Sequence, residues 1–192
     1  ASVETLALFS RSGRAPDGLE AAPLDVADEA SIAAAAERVS DLDLVFVATG
    51  LLHGDGVSPE KDLRALDMDR LARSFAVNAA GPALVGKHFL PKLARDRKAA
   101  FAVVSARVGS IGDNGVGGWY GYRASKAALN QLLRTAAIEI GRKRRRQIVL
   151  ALQPGTVDTA LSKPFQGSAP SLMTPDESAA ALLGVVDRAT PD

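Results

Sequence analysis

The chain has 192 residues, a length that suits one domain. Hydrophobic residues make up 47% and the net charge is +1, which excludes a disordered chain and gives no global pull toward nucleic acid or an acidic partner. The absence of cysteine excludes a disulfide framework and thiolate metal sites and suits a reducing cytoplasm, and no apolar run approaches the ~20 residues of a membrane span.

Taken in chain order, strands and helices are expected to alternate. The start, ASVETLALFSRSGR, is interrupted by charges and does not read as a signal peptide. VETLALF (3–9) is a run of strand length, and a second strand is expected within 19–26. DEASIAAAAERVSDL (28–42) reads as a helix with Asp28 as N-cap. DLVFVATG (43–50) is a continuous apolar run ending in glycine, as in a strand buried on both faces. A loop over 51–66, carrying a turn of helix, precedes a long helical stretch from 67 to 94, with a bend expected at Gly81-Pro82. AAFAVVSA (99–106) is another buried strand, followed by a glycine-rich loop (109–118) and a helix over 119–141. QIVLALQP (147–154) is a strand stopped by proline, and 174–189 is a final helix with Thr174 as N-cap and Pro175 at its first position.

That alternation predicts an α/β fold, a Rossmann-type doubly wound parallel sheet in a single dinucleotide-binding domain over 1–192. Ligands bind such sheets beyond the carboxyl ends of the strands. Those ends hold Ser10 and Arg11, Asp25 and Val26, Ala48, Thr49 and Gly50, Ser105 and Ala106, and Pro154 and Gly155. Within GGWYGYRASKAALN (117–130), Tyr122 and Lys126 are four apart and share a helix face. An ammonium beside a phenol lowers the phenol's pKa, which makes a proton donor or base usable near neutral pH. An exposed helix pair is the plain alternative, since Y-x-x-x-K alone is a weak signal.

With NAAG at 78–81 and PGTVDT at 154–159, the chain resembles the short-chain dehydrogenase/reductase family, and SARVGSIGDN followed by GGWYGYRASKAALN resembles its C-factor or sniffer-type carbonyl-reductase branch. The resemblance implies Tyr122 as general acid/base, Lys126 as its helper and a ribose ligand, and Asn78 as holder of a water in a proton relay. It implies a cofactor held by Ser10, Arg11, Asp25, Val26, Ala48, Thr49, Gly50, Asn78, Tyr122, Lys126, Pro154, Gly155, Thr156, Val157 and Thr159. Arg11 follows the second strand of such a sheet, where an acid would select NAD and an arginine accommodates the 2′-phosphate, so NADP(H) is favoured over NAD(H). The partners expected are a small carbonyl or alcohol and further copies of the chain, as a homodimer or homotetramer through the helices at 67–94 and 119–141. Nucleic acid, membrane and metal are not expected.

Three departures qualify the resemblance. The family's catalytic serine falls at Ala106, leaving Ser105 as the substitute and Ser110 as a more distant candidate. Ala48-Thr49 replaces Asn-Ala. The sequence also shows no dinucleotide-binding glycine loop at its start; it opens where a second strand is expected, so the first strand and its loop are expected to be missing, and the end, ATPD, is expected to stop short of a further strand. A non-catalytic dinucleotide-binding or signalling protein of C-factor type is the rival reading. RKRRR (142–146) is read as a solvated helix end, His53 and His88 as loop and surface residues, Trp119 and Tyr120 as packing or pocket lining, and 165–173 as a substrate loop.

Overall fold

The computed structural model describes residues 3–54, 56–168 and 171–191. Five short strands are β1 (Phe9–Ser10), β2 (Ala22–Pro23), β3 (Leu44–Val47), β4 (Ala99–Val104) and β5 (Gln147–Leu152). All pairings are parallel, β1 with β2 in one sheet and β3-β4-β5 in another. The helices are α1 (Glu29–Ala36), α2 (Met68–Phe75), α3 (Gly81–Phe89), α4 (Tyr120–Lys143) and α5 (Pro175–Arg188). This is the expected Rossmann-type parallel α/β architecture. The expected absence of a first strand is not borne out: β1 stands near the N-terminus, followed by a turn through Gly13 at φ 66°.

β4 explains why the larger sheet is covered on both faces. Side chains alternate along a strand. Ala99, Phe101 and Val103 face one core with Ile32, Val85, Phe89, Leu129 and Leu133. Ala100 and Ala102 face the other with Ile148, Leu152, Leu182 and Val186. Phe101 has no exposed surface, and full burial of such a side chain contributes about 1.5–3 kcal/mol. The β1-β2 sheet is joined to this core by Phe9, which meets Phe89 edge-on at 6.0 Å, and α1 is tied to α3 by Glu29, which binds Lys87 and His88.

The helix caps fall where the sequence places them. Asp28 accepts from Ala30 N–H at 2.9 Å, and Thr174 with Glu177 forms a full capping box. α1 nevertheless ends at Ala36 rather than near 42, because the chain turns through Asp41 at φ 54°, held with Asp43 by Arg97. The stretch at 67–94 is interrupted by a π-helical segment, Ala76–Ala80, in which Gly81 N–H reaches back five residues to Ala76 O. Pro82 has no N–H to give the carbonyl of Asn78 four residues earlier, which is the local reason for the irregularity. Gly81 is required there, since a Cβ would lie 2.5 Å from Val26 O.

Candidate active site

The carboxyl ends of β3 and β4 meet the first turns of α4, where Tyr122 and Lys126 lie one turn apart. Lys126 is 2% exposed, and its Nζ donates to the carbonyl of Val104, the last residue of β4, at 2.8 Å. Its ammonium sits 5.9 Å from the centre of the Tyr122 ring. Loss of solvent lowers the Lys126 pKa from 10.5 to about 8. Tyr122 is half-buried, and burial pushes its pKa above 10. The expected lowering by Lys126 is therefore corrected for this arrangement: the charge lies over the ring, and desolvation governs the phenol.

Asn78 is fully buried and locks the site together. Its Nδ2 donates to Leu51 O at 2.8 Å and to Ser125 Oγ at 3.1 Å, while its Oδ1 accepts from Leu51 N–H at 2.7 Å. Ser125 Oγ in turn donates to Tyr122 O at 2.9 Å. The loop after β3, the π segment and the first turn of α4 thus share one buried network. Its side chain is so committed, and Pro82 has no N–H to give its main-chain carbonyl.

The substitute serine is not brought to Tyr122. Ser105 is buried, and its Oγ donates to Asn130 Oδ1 at 2.6 Å. Asn130 lies eight residues beyond Tyr122 on α4, about 12 Å along the axis. Successive residues of extended chain face opposite ways, so Ala106, extended at φ −152°, faces away from that contact and offers no hydroxyl. Ser110 is exposed and accepts from Asp113 N–H at 3.3 Å.

The remaining predicted residues fall into two groups. Ala48, Thr49 and Gly50 are exposed at the end of β3, and a Cβ on Gly50 would lie 3.8 Å from Asn78 Oδ1 and 4.0 Å from Lys126 Nζ. Pro154, Gly155, Thr156, Val157 and Thr159 follow β5 and are pinned by a bridge from Val157 to Met173, by Met173 N–H on Thr156 O, and by Ser162 Oγ on Val157 O and Thr159 O. In the second group, Ser10 closes its own turn, donating to Arg14 O at 2.7 Å and accepting from Arg14 N–H at 3.0 Å. Asp25 accepts from Ala27 N–H at 2.9 Å, Val26 packs on Gly81, and Arg11 is exposed. A nicotinamide dinucleotide fits this donor set. An ammonium has three N–H groups, and one of those of Lys126 is used on Val104; hydroxyls suit the rest, and an anion suits Arg11.

Long-range side-chain contacts invisible in the local sequence complete the site. Trp119 meets Tyr122 at 6.2 Å and Phe165 at 5.0 Å, and Phe165 meets His53 at 5.6 Å. His53 Nε2 lies 3.0 Å from Leu161 O, so His53 is a loop-to-loop tie rather than a free surface residue. A cleft of about 590 Å³ opens here, lined by His53, Pro59, Glu60, Lys61, Arg70 and Phe165. Trp119 packs against the rings of Tyr122 and Phe165, outside the lining of the cleft itself, whereas Tyr120 is exposed. The loop read at 165–173 lies partly outside the described residues. Within RKRRR, Arg144 donates to Leu90 O and Arg146 to Asp96 O, as at a helix end that binds carbonyls. Among the described residues, no three His, Cys, Asp or Glu side chains are placed to hold a metal, and no helix is long and apolar enough to cross a membrane.

Residues 3–168 match the short chain dehydrogenase family. The chain belongs to that family. It is 35% identical over 190 residues to the 1-hydroxy-2-glutathionyl-2-methyl-3-butene dehydrogenase of Rhodococcus sp. (strain AD45), covering 96% of this chain and 79% of that one. It is 35% identical over 127 residues to the C-signal protein of Myxococcus xanthus, covering 66% of this chain and 72% of that one. Among solved structures, the NADPH-bound carbonyl reductase from chicken fatty liver superposes with a TM-score of 0.75 at 28% identity, over 89% of this chain and 70% of that one.

Proposed function

We propose that this short-chain dehydrogenase is an NADP(H)-dependent oxidoreductase that interconverts a carbonyl and a secondary alcohol, in the carbonyl-reductase branch that includes C-factor and sniffer proteins. The observation that carries this reading is the buried Lys126 ammonium, held on the carbonyl of Val104 beside Tyr122, whose own main-chain carbonyl is tied to Asn78 through Ser125. Burying such a charge is costly, and a purely structural helix has no need of it. Binding of NADPH by the chicken carbonyl reductase and the hydroxy compound named for the Rhodococcus enzyme support the cofactor and the substrate class.

Bound cofactor supplies or accepts the hydride. Tyr122 holds the proton: burial keeps its phenol protonated at neutral pH, which is the form needed to protonate a carbonyl oxygen during reduction. Lys126 keeps N–H groups for the nicotinamide ribose beside the phenol. Asn78 holds a relay water on its carbonyl. Thr49, Gly50, Gly155, Thr156 and Thr159 border the nicotinamide half, and Arg11 receives the 2′-phosphate. Polarisation of the substrate oxygen falls to Tyr122, since Ala106 has no hydroxyl. The chain works as a homodimer or homotetramer through α2, α3 and α4, where Phe75, Leu132 and Ile138 are 38–43% exposed.

Ala106 also favours a second reading, a dinucleotide-binding signalling protein without turnover, resembling C-signal. Titration with NADPH and NADH, followed by NADPH oxidation over a panel of aldehydes and ketones, separates the two. Tighter NADPH binding with carbonyl-dependent oxidation supports the enzyme. Binding without oxidation supports the second reading, and no binding of either nucleotide overturns both.

A further inference from the structure

Glu60 is a buried carboxylate that the mechanism above does not use. It is 4% exposed, in the loop between β3 and α2. Its Oε2 accepts from Gly121 N–H at 3.0 Å, across 61 residues of sequence, and its main-chain carbonyl accepts from Trp119 N–H. These are the residues at which α4 begins. Trp119, the N-cap, is left-handed at φ 54°, ψ 43°, and no side chain of its own caps the helix. A helix start leaves its first N–H groups without intrahelical partners and carries partial positive charge. Glu60 supplies from another loop the acceptor that the N-cap residue does not.

We propose that Glu60 is a positioning residue for Tyr122, acting through the first turn of α4. The proposal rests on the oxidoreductase reading for its activity arm. Its two bonds grip the chain at Trp119 and Gly121, and Tyr122 is the next residue. Gly121 makes the grip possible, since a Cβ there would lie 2.9 Å from Glu60 Oε1 and 3.5 Å from Ser74 Oγ. The same glutamate lines the cleft bounded by His53 and Phe165. It therefore ties the wall of that cleft to the helix that carries the acid, and fixes the start of that helix, and Tyr122 with it, relative to the loop after β3. Small displacements of a reacting group are costly to rate, up to about 100-fold for an ångström.

The test compares Glu60→Ala, Glu60→Gln and Gly121→Ala with Ile32→Val, a core change on α1 remote from the site. Four quantities are read: kcat, KM for NADPH, the unfolding temperature, and the emission of Trp119, the single tryptophan of the chain, in cofactor-free protein. Glu60→Ala is expected to lower kcat about ten-fold with KM for NADPH little changed, and to shift Trp119 emission. Glu60→Gln keeps an oxygen that accepts from Gly121 N–H and is expected to rescue most of kcat. Gly121→Ala displaces the carboxylate from the side of the helix and is expected to lower kcat as Glu60→Ala does. Ile32→Val lowers the unfolding temperature and leaves kcat alone. Wild-type kcat in Glu60→Ala, or a kcat loss in Ile32→Val that tracks its lost stability equally, overturns the proposal. If the wild-type protein binds no nicotinamide nucleotide and reduces no carbonyl, the oxidoreductase reading fails by itself. The clamp is then decided by Trp119: unchanged emission in Glu60→Ala overturns it, and a shift that Glu60→Gln reverses supports it.

Discussion

Replacing Lys126 with methionine is expected to stabilise the cofactor-free protein while removing its activity. Methionine is unbranched, of similar length and uncharged, so it can occupy the same buried path. The fall of the lysine pKa from 10.5 to about 8 on folding corresponds to about 3 kcal/mol against the charged form, at roughly 1.4 kcal/mol per tenfold step. Removing the ammonium also takes its charge-assisted hydrogen bond from Val104 O, a loss of about 2 kcal/mol. The net gain is about 1 kcal/mol, or ~2–4 °C in unfolding temperature for a chain of this size. The pH dependence fixes the cause. Below pH 8, folded and unfolded chains both carry the proton, and wild type bears the whole penalty. Between about 8 and 10.5 the folded state releases its proton first, so wild-type stability rises with pH and its gap to the variant closes. Tyr122 acts oppositely: its raised pKa makes the fold lose stability as pH passes above 10, where the unfolded phenol ionises first. Urea unfolding of both proteins at pH 7, 8, 9 and 10 reads the effect below that limit. A variant less stable than wild type at pH 7, or a gap that stays constant up to pH 10, would refute the reasoning.

Ala106→Ser restores a hydroxyl on the face opposite Ser105 and is expected to raise carbonyl turnover by about 10-fold or more, since one polarising donor is worth ~100-fold in comparable sites; steady-state kcat on an aryl ketone checks it, and no increase would place the substrate oxygen elsewhere. Arg11→Asp is expected to shift preference from NADPH toward NADH in parallel titrations, and an unchanged ratio would remove Arg11 from the cofactor site. Gly81→Ala places a methyl 2.5 Å from Val26 O and is expected to lower stability by about 1–3 kcal/mol in urea, despite its better helix propensity.

Features encoded within a few residues were legible in the sequence. The caps at Asp28 and Thr174 and the interruption near Pro82 depend on neighbours in the chain, and each lies where it was expected. The Tyr122–Lys126 pair was legible for the same reason, because a helix fixes positions four apart. Strand length was not legible. VETLALF yields only Phe9–Ser10 as strand, and Val3 and Leu6 stay 74% and 64% exposed, because a ladder extends only as far as its partner does. Ser105 looked available until its partner Asn130, 25 residues away, came into view. Glu60, His53 and Phe165 carried no local signal, since each acts on residues far away in the chain. Ser125 could have been found: it lies three residues after Tyr122 on the same helix face, where a buried hydroxyl between tyrosine and lysine is well placed to bond the backbone.

NADPH oxidation with an aryl ketone, measured for wild type and Tyr122→Phe at matched folded concentration, tests the central claim most directly. The account predicts measurable wild-type turnover and a loss of at least about 100-fold in the variant, with NADPH binding and unfolding temperature kept. Turnover in Tyr122→Phe equal to wild type would contradict it, because the proton would then come from a group other than the phenol.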